Sequence, residues 1–174
     1  MSSGLLALIV ATTGCDILMS GSNGEAADNI TVTSPMILAG ETIPERYTCK
    51  GEGVSPPLSW SGLPDGVESI AVLIDDPEAV GGATVHWLVY GLDPANPELA
   101  EGSVPQPARQ ARNVSGEANY AAPCPVDDHE HEYRFTVYAL DSELDLPEAA
   151  PLDEALRAIA AHTLARGRLV ATGG

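Results

Sequence analysis

Basic residues are nearly missing from this chain. Lys50 is its one lysine, and eight Lys and Arg stand against 25 Asp and Glu, a formal net charge of −17. Phosphate contacts need clustered cations, and the eight are scattered, so nucleic acid is excluded as a partner. Aromatics are also scarce, at 5% with a single phenylalanine, whereas 14 prolines and 17 glycines imply many turns. No apolar run approaches the ~20 residues that a membrane-spanning helix needs. There is no Gly-x-Ser-x-Gly elbow, no assembled Ser, His and Asp set, no phosphate loop and no dinucleotide fingerprint. No internal repeat is visible either. These absences leave hydrolysis and nucleotide chemistry without a sequence signature, and no cofactor is called for.

At 174 residues the chain should hold one domain and a short tail, with roughly 70% of the unfolded surface buried on folding. The excess of carboxylates has two readings. It resembles the surface of proteins from salt-loving microbes, where salt screens the repulsion, and it also fits an ordinary acidic protein.

The N-terminus reads as a processing segment. Leu5 to Ala11 is an apolar run too short to span a bilayer, and Thr12-Thr13-Gly14-Cys15 looks like a lipobox. Residues 1–29 are therefore expected to be a lipoprotein-type signal and flexible tether, and residues 30–174 the folded domain. In this reading Cys15 is lipidated and the domain is exported and anchored at the cell envelope. Two features depart from the usual pattern: Met1 to Gly4 carry no Lys or Arg, and Thr12 stands where Leu is customary. An unprocessed tail is the competing reading. With Cys15 assigned to the anchor, Cys49 and Cys124 remain as a candidate disulfide, and two buried free thiols are the alternative.

From Ile30 onward the pattern is mostly strands and turns. Ile30 to Thr33 and Leu58 to Trp60 alternate apolar and polar residues, while Ser69 to Ile74 is the apolar run of a strand buried on both faces. Val85 to Tyr90 and Tyr133 to Leu140 are further strands. The segment 93–121 has no period and is expected to be a long surface loop with short pieces of structure. One helix is predicted over Pro151 to Arg166, from the apolar spacing of Leu152, Ala155, Leu156, Ile159, Ala160, Thr163 and Leu164, with Gly167 as its cap. Strands this closely spaced do not leave room for βαβ units. The expected fold is mainly β, a central antiparallel sheet with a smaller packed sheet and a C-terminal helix.

Residues suited to a polar site recur beside these strands. Asp75 and Asp76 follow the buried strand and precede Pro77, so their carboxylates emerge where the backbone turns. His86 opens a strand and is followed by Trp87. Pro123-Cys124-Pro125 is a stiff loop, and His131 and Tyr133, two apart, share a strand face. For each of these a purely structural role is the competing reading.

Taken together, Asp76-Pro77-Glu78-Ala79, His86-Trp87, Pro123-Cys124-Pro125 and His131-Glu132-Tyr133 resemble the phosphatidylethanolamine-binding protein family, in its bacterial and archaeal Raf-kinase-inhibitor-like branch. The resemblance runs from about Ile30 to Ala171. It implies a non-enzymatic binding protein whose pocket, formed by Asp76, His86, Pro123, Cys124, Pro125, His131 and Tyr133, accepts an anion such as a phospholipid head group. Val126, Glu132 and the acids Asp127, Asp128 and Glu130 depart from the motif, and the carboxylates make the pocket mouth unusually acidic. Some relatives inhibit proteases or kinases, which makes segment 93–121 a candidate protein contact. A third reading takes His129 and His131, which share a strand face, as ligands of a metal-binding β-barrel, with Asp76 or His86 completing the shell. His162 is read as a structural histidine with a hydrogen-bond partner.

Overall fold

The computed structural model describes residues 27–125 and 129–173. Nine strands and one helix follow in the order β1 (Ala27–Asp28), β2 (Thr31–Thr33), β3 (Leu58–Ser61), β4 (Ser69–Asp76), β5 (Thr84–Leu92), β6 (Glu98–Leu99), β7 (Arg109–Gln110), β8 (His131–Leu140), α1 (Leu152–His162) and β9 (Thr163–Gly173). They form a six-stranded sheet in the order β1-β9-β8-β4-β5-β7 and a three-stranded sheet, β2-β3-β6. Every pairing is antiparallel except that of β1 with β9.

Both faces of the large sheet are covered, which explains why β4 is apolar without alternation. On one face Ile70, Val72, Ile74, Trp87, Phe135 and Val137 pack with Val32, Leu58 and Trp60 of the small sheet. On the other, Ala71, Leu73, Leu88, Tyr90 and Leu140 receive Ala155 and Ile159 of α1. β4 is buried along its whole length, as its sequence requires.

The predicted helix is too long. It ends at His162, and Thr163 turns extended and begins β9, which runs beside β8 for most of its length. The last turn is closed by the Thr163 hydroxyl, which donates to the Ile159 carbonyl at 2.6 Å. Thr163 and Leu164 continue the helical spacing of α1, but Ala165, Gly167, Leu169 and Ala171 are buried at period two. Tertiary pairing decides between the two patterns.

Gly167 is therefore not a helix cap. It lies buried where β9 meets the start of the domain, and Ile30 N–H donates to the Arg166 carbonyl beside it at 3.3 Å. A Cβ on Gly167 would stand 1.8 Å from the Ile30 oxygen, so only glycine permits this approach. The sheet also starts earlier than the expected boundary at Ile30, because Ala27 and Asp28 pair with Ala165 and Arg166. The segment 93–121 contains β6 and β7.

Candidate functional site

The pocket end of the large sheet is set by where β4 stops. Along β4 the side chains alternate, Ile70, Val72 and Ile74 to the small-sheet face and Ala71 and Leu73 to the helix face. The same alternation sends Asp76 to the first face and Asp75 to the second. Asp75 lies opposite Arg134 on β8 and takes its guanidinium through two contacts, one of them 3.2 Å from Nε to Oδ1. That hydrogen bond holds the Arg134 pKa above its ordinary value.

Asp76 meets a different partner. Its Oδ2 accepts from Nδ1 of His131 at 2.7 Å, and both side chains are buried. Its Oδ1 accepts the Glu78 N–H at 2.8 Å, an Asx turn that Pro77 stiffens. Glu78 in turn accepts the Glu132 N–H at 3.0 Å, tying the turn to β8.

His86 reaches this face through a β-bulge. Ile74 is opposite Trp87, yet Asp75 is opposite Val85, so β5 carries one extra residue, His86, at the point where β4 ends. A bulge re-aims a side chain that strict alternation would place on the other face. His86 consequently stands edge-on to Tyr133, with ring centroids 5.6 Å apart. Tyr133 also stacks against His131 at 6.4 Å and so lies between the two imidazoles.

The protonation of His86 follows from its partners. Nδ1 lies 2.9 Å from the Ala121 carbonyl, which can only accept, so Nδ1 carries the hydrogen. Nε2 is buried and has no hydrogen-bond partner among the described residues. Burial lowers the His86 pKa, against the opposing pull of the Ala121 bond and of the charges on Asp76 and Asp75. The ring is thus neutral near pH 7, with a lone pair on Nε2.

Beside this cluster is a cavity of about 110 Å³, walled by Pro123, Pro125 and Tyr133 together with Glu45, Lys50 and Gly173. Cys49 and Cys124 are joined as a disulfide with Cα atoms 5.3 Å apart. The Cys49 N–H also donates to the Pro123 carbonyl at 3.0 Å, so the proline wall is fastened to the turn at Glu45–Tyr47 by a covalent and a hydrogen bond.

Residues 33–173 match the family described as phosphatidylethanolamine-binding protein. The chain belongs to that family. It is 42% identical over 148 residues to the Mycobacterium tuberculosis (H37Rv) protein named "Putative lipoprotein LppC", covering 84% of this chain and 73% of that one. It is 40% identical over 133 residues to a UPF0098 protein of Methanothermobacter thermautotrophicus, covering 74% of this chain and 87% of the relative. Among solved structures, the phosphatidylethanolamine-binding protein homologue CT736 of Chlamydia trachomatis superposes with a TM-score of 0.76 at 36% identity, covering 84% of this chain and 97% of that one. YbcL of E. coli, described as a new member of the mammalian PEBP family, gives 0.79 at 28% identity, with 83% of this chain and 98% of that one covered.

For this family member the structure brings together Asp76, His86, His131 and Tyr133 beside the Pro123–Pro125 wall. It also separates them by depth. Pro123, Pro125 and Tyr133 line the cavity, whereas Asp76, His86 and His131 lie buried next to Tyr133 and outside its lining. Sequence reasoning missed Lys50 and Gly173 as cavity residues. Gly173 lies opposite His131, and a Cβ there would come 3.0 Å from Cε2 of Tyr133, so glycine makes room for the phenol ring. Lys50 carried a signal, as the chain's single lysine beside a cysteine.

Two other histidines fall outside this cluster. His129 is exposed ahead of β8, and among the described residues no three His, Cys, Asp or Glu side chains gather as a metal shell. His162 bonds Asp141 through Nδ1 at 2.8 Å, and both side chains are about half exposed.

Proposed function

We propose that this is a non-enzymatic binding protein for small ligands carrying a phosphate or carboxylate group, held at the cell envelope by a lipid on Cys15. One observation carries the ligand reading: the buried Nε2 of His86, without a hydrogen-bond partner among the described residues. A buried polar atom left unpaired costs about 1–3 kcal/mol, and folds retain few of them. A ligand oxygen that reached past Tyr133 from the adjoining cavity would satisfy it.

The chemistry then sets a proton balance. Neutral His86 offers a lone pair at Nε2, so ligand oxygen and nitrogen must share one proton between them. The proton comes either from a ligand O–H, as in a phosphate monoester whose second pKa is near 6, or from solution by protonation of the ring. Either route takes up one proton at alkaline pH, and affinity should rise about tenfold per unit of pH lowered there. Asp76 holds His131 in orientation, Tyr133 closes the site between both rings, and Lys50 supplies the positive charge at the cavity wall. The similarity to a protein named as a lipoprotein, and the lipobox-like Thr12 to Cys15, support the anchor.

Titration calorimetry with phosphoethanolamine and with acetate, at two pH values and in buffers of different ionisation enthalpy, tests the reading. The parent should bind with uptake of one proton, and His86→Ala should lose at least tenfold in affinity. Binding by neither protein to either ligand, or equal binding by both, would overturn it. Intact-mass measurement of material from its native host tests the anchor, and an unmodified chain beginning at Met1 would end that part.

A further inference from the structure

An exported chain meets chemistry that a cytoplasmic one does not, including the transfer of sugars to asparagine. The acceptor pattern is Asn-x-Ser or Asn-x-Thr with no proline between. Among the chain's asparagines, Asn29 and Asn113 open such a triplet, as Asn29-Ile30-Thr31 and Asn113-Val114-Ser115. Asn23, Asn96 and Asn119 do not. A triplet is only a local pattern, and the fold treats these two in opposite ways.

Asn113 is used inside the fold, where it is 4% exposed. Its Nδ2 donates to the carbonyl and to Oδ1 of Asn119, both at 2.9 Å, which gives two acceptors for its two amide hydrogens. Its Oδ1 accepts the Ser115 N–H at 2.9 Å, the Ser115 hydroxyl at 2.6 Å and the Glu117 N–H at 3.2 Å. The loop so closed is held on β5, because the Val114 N–H donates to the Val85 carbonyl at 3.0 Å. A sugar on Nδ2 takes away one hydrogen and needs a route to solvent that a buried side chain lacks. This fold and a glycan on Asn113 therefore exclude each other. Asn29 is the reverse case. It lies between β1 and β2, and Asn29 and Thr31 are exposed on either side of buried Ile30. Residues two apart on extended backbone share a face, so the amide and the hydroxyl of the acceptor pattern both stand outward. Among the described residues the Asn29 amide has no hydrogen-bond partner. The backbone here is held without it, since Ile30 bonds Arg166 and Thr31 lies opposite Ser61.

We infer that Asn29 is an N-glycosylation site, modified by transfer from a lipid-linked oligosaccharide, and that Asn113 stays bare. The inference rests on the proposed export. In the transfer, Nδ2 of Asn29 bonds to C1 of the first sugar as the C1–O bond to the lipid phosphate breaks. The lipid phosphate leaves with the electron pair, and one amide proton passes to solvent. The modified side chain gives up no contact within the described domain. Ile30 enters beside Arg166, and the cavity at Gly173 is seven residues further along β9, or about 23 Å at ~3.3 Å per residue. A glycan on Asn29 therefore covers the junction of tether and domain, away from the cavity.

The test uses the full chain from its native host, cut after glutamate and read by mass spectrometry with electron-transfer fragmentation, which leaves sugars attached. The peptide that spans Asn29 should carry a glycan on that residue in most molecules, and the peptide that spans Asn113 should carry none. Asn29→Gln and Thr31→Ala should each abolish the glycan, whereas Thr31→Ser, which keeps the hydroxyl, should retain it. These side chains are exposed, so the variants fold and the comparison stays readable. A bare Asn29 on a chain lipidated at Cys15 overturns this inference and leaves the anchor standing. A glycan on Asn29 of an unlipidated chain does the converse, and a bare Asn29 on a chain that begins at Met1 sinks both. A glycan on Asn113 of the folded protein, or one on Asn29 that survives Thr31→Ala, also overturns the inference.

Discussion

Asp75 and Asp76 are consecutive on β4, yet each belongs to a different part of the molecule. Asp75 points to the helix face and meets Arg134, whose side chain keeps 26% of its surface in solvent. Asp76 points to the small-sheet face and meets His131, with both groups out of water. A guanidinium at a half-open site keeps its charge whatever the carboxylate does. An imidazole buried against a carboxylate, with Tyr133 on its flank and His86 beyond, belongs to the polar cluster beside the cavity. Period-two alternation alone turns two identical side chains into a structural ion pair and a candidate binding element.

The comparison can be broken in several ways. The largest effect is expected from the staple on the pocket side. Replacing Cys49 and Cys124 with Ser frees a loop of 75 residues and should lower stability by about 4 kcal/mol in denaturant unfolding, with the proline wall loosened. A loss below about 1 kcal/mol would mean that the wall is held by its other contacts.

Next comes Asp76→Ala, which leaves His131 without its carboxylate in a buried setting. A cost of about 3 kcal/mol and loss of ligand binding should follow, read by unfolding and calorimetry. Asp75→Ala should cost about 1 kcal/mol and leave ligand affinity within about twofold, because Arg134 can turn to solvent. If Asp75→Ala proved as damaging as Asp76→Ala, the two faces would not differ as argued.

The smallest effect is the pH dependence of the free protein. The His86 pKa is lowered in the folded state, so between the unfolded value near 6.5 and the folded value the unfolded chain binds more protons. Stability should therefore be full above about pH 6.5 and fall as pH drops below it. His86→Ala should flatten that slope, and phosphoethanolamine should offset it in the parent. A parent whose stability is unchanged between pH 7 and the onset of carboxylate titration would contradict the neutral, buried imidazole.

Legibility varied from element to element for physical reasons. The apolar run Ser69 to Ile74 could only be a strand covered on both faces, and the β8 alternation placed His131 and Tyr133 together. β9 was hidden because Thr163 and Leu164 fall on the helical face of α1, and two arginines interrupt the strand that follows. The 1.8 Å approach at Gly167 depends on where Ile30 arrives, which no local pattern records. The orientation of His86 depends on a register shift between β4 and β5, again a relation between segments.

By itself the amino-acid sequence determined the chain's acidity, its turn-rich β character, the family motifs and the face on which each β8 side chain lies. These follow from composition and from the two-residue period of a strand, both local. Tertiary structure alone decided that Cys49 meets Cys124 and that helix gives way to strand after His162. It also decided that a bulge turns His86 towards Tyr133, that Asp76 rather than Asp75 holds an imidazole, and that the N-terminal segment enters beside Arg166. Each of these is a contact between residues distant in sequence, settled by which pairing buries the most apolar surface while satisfying the backbone.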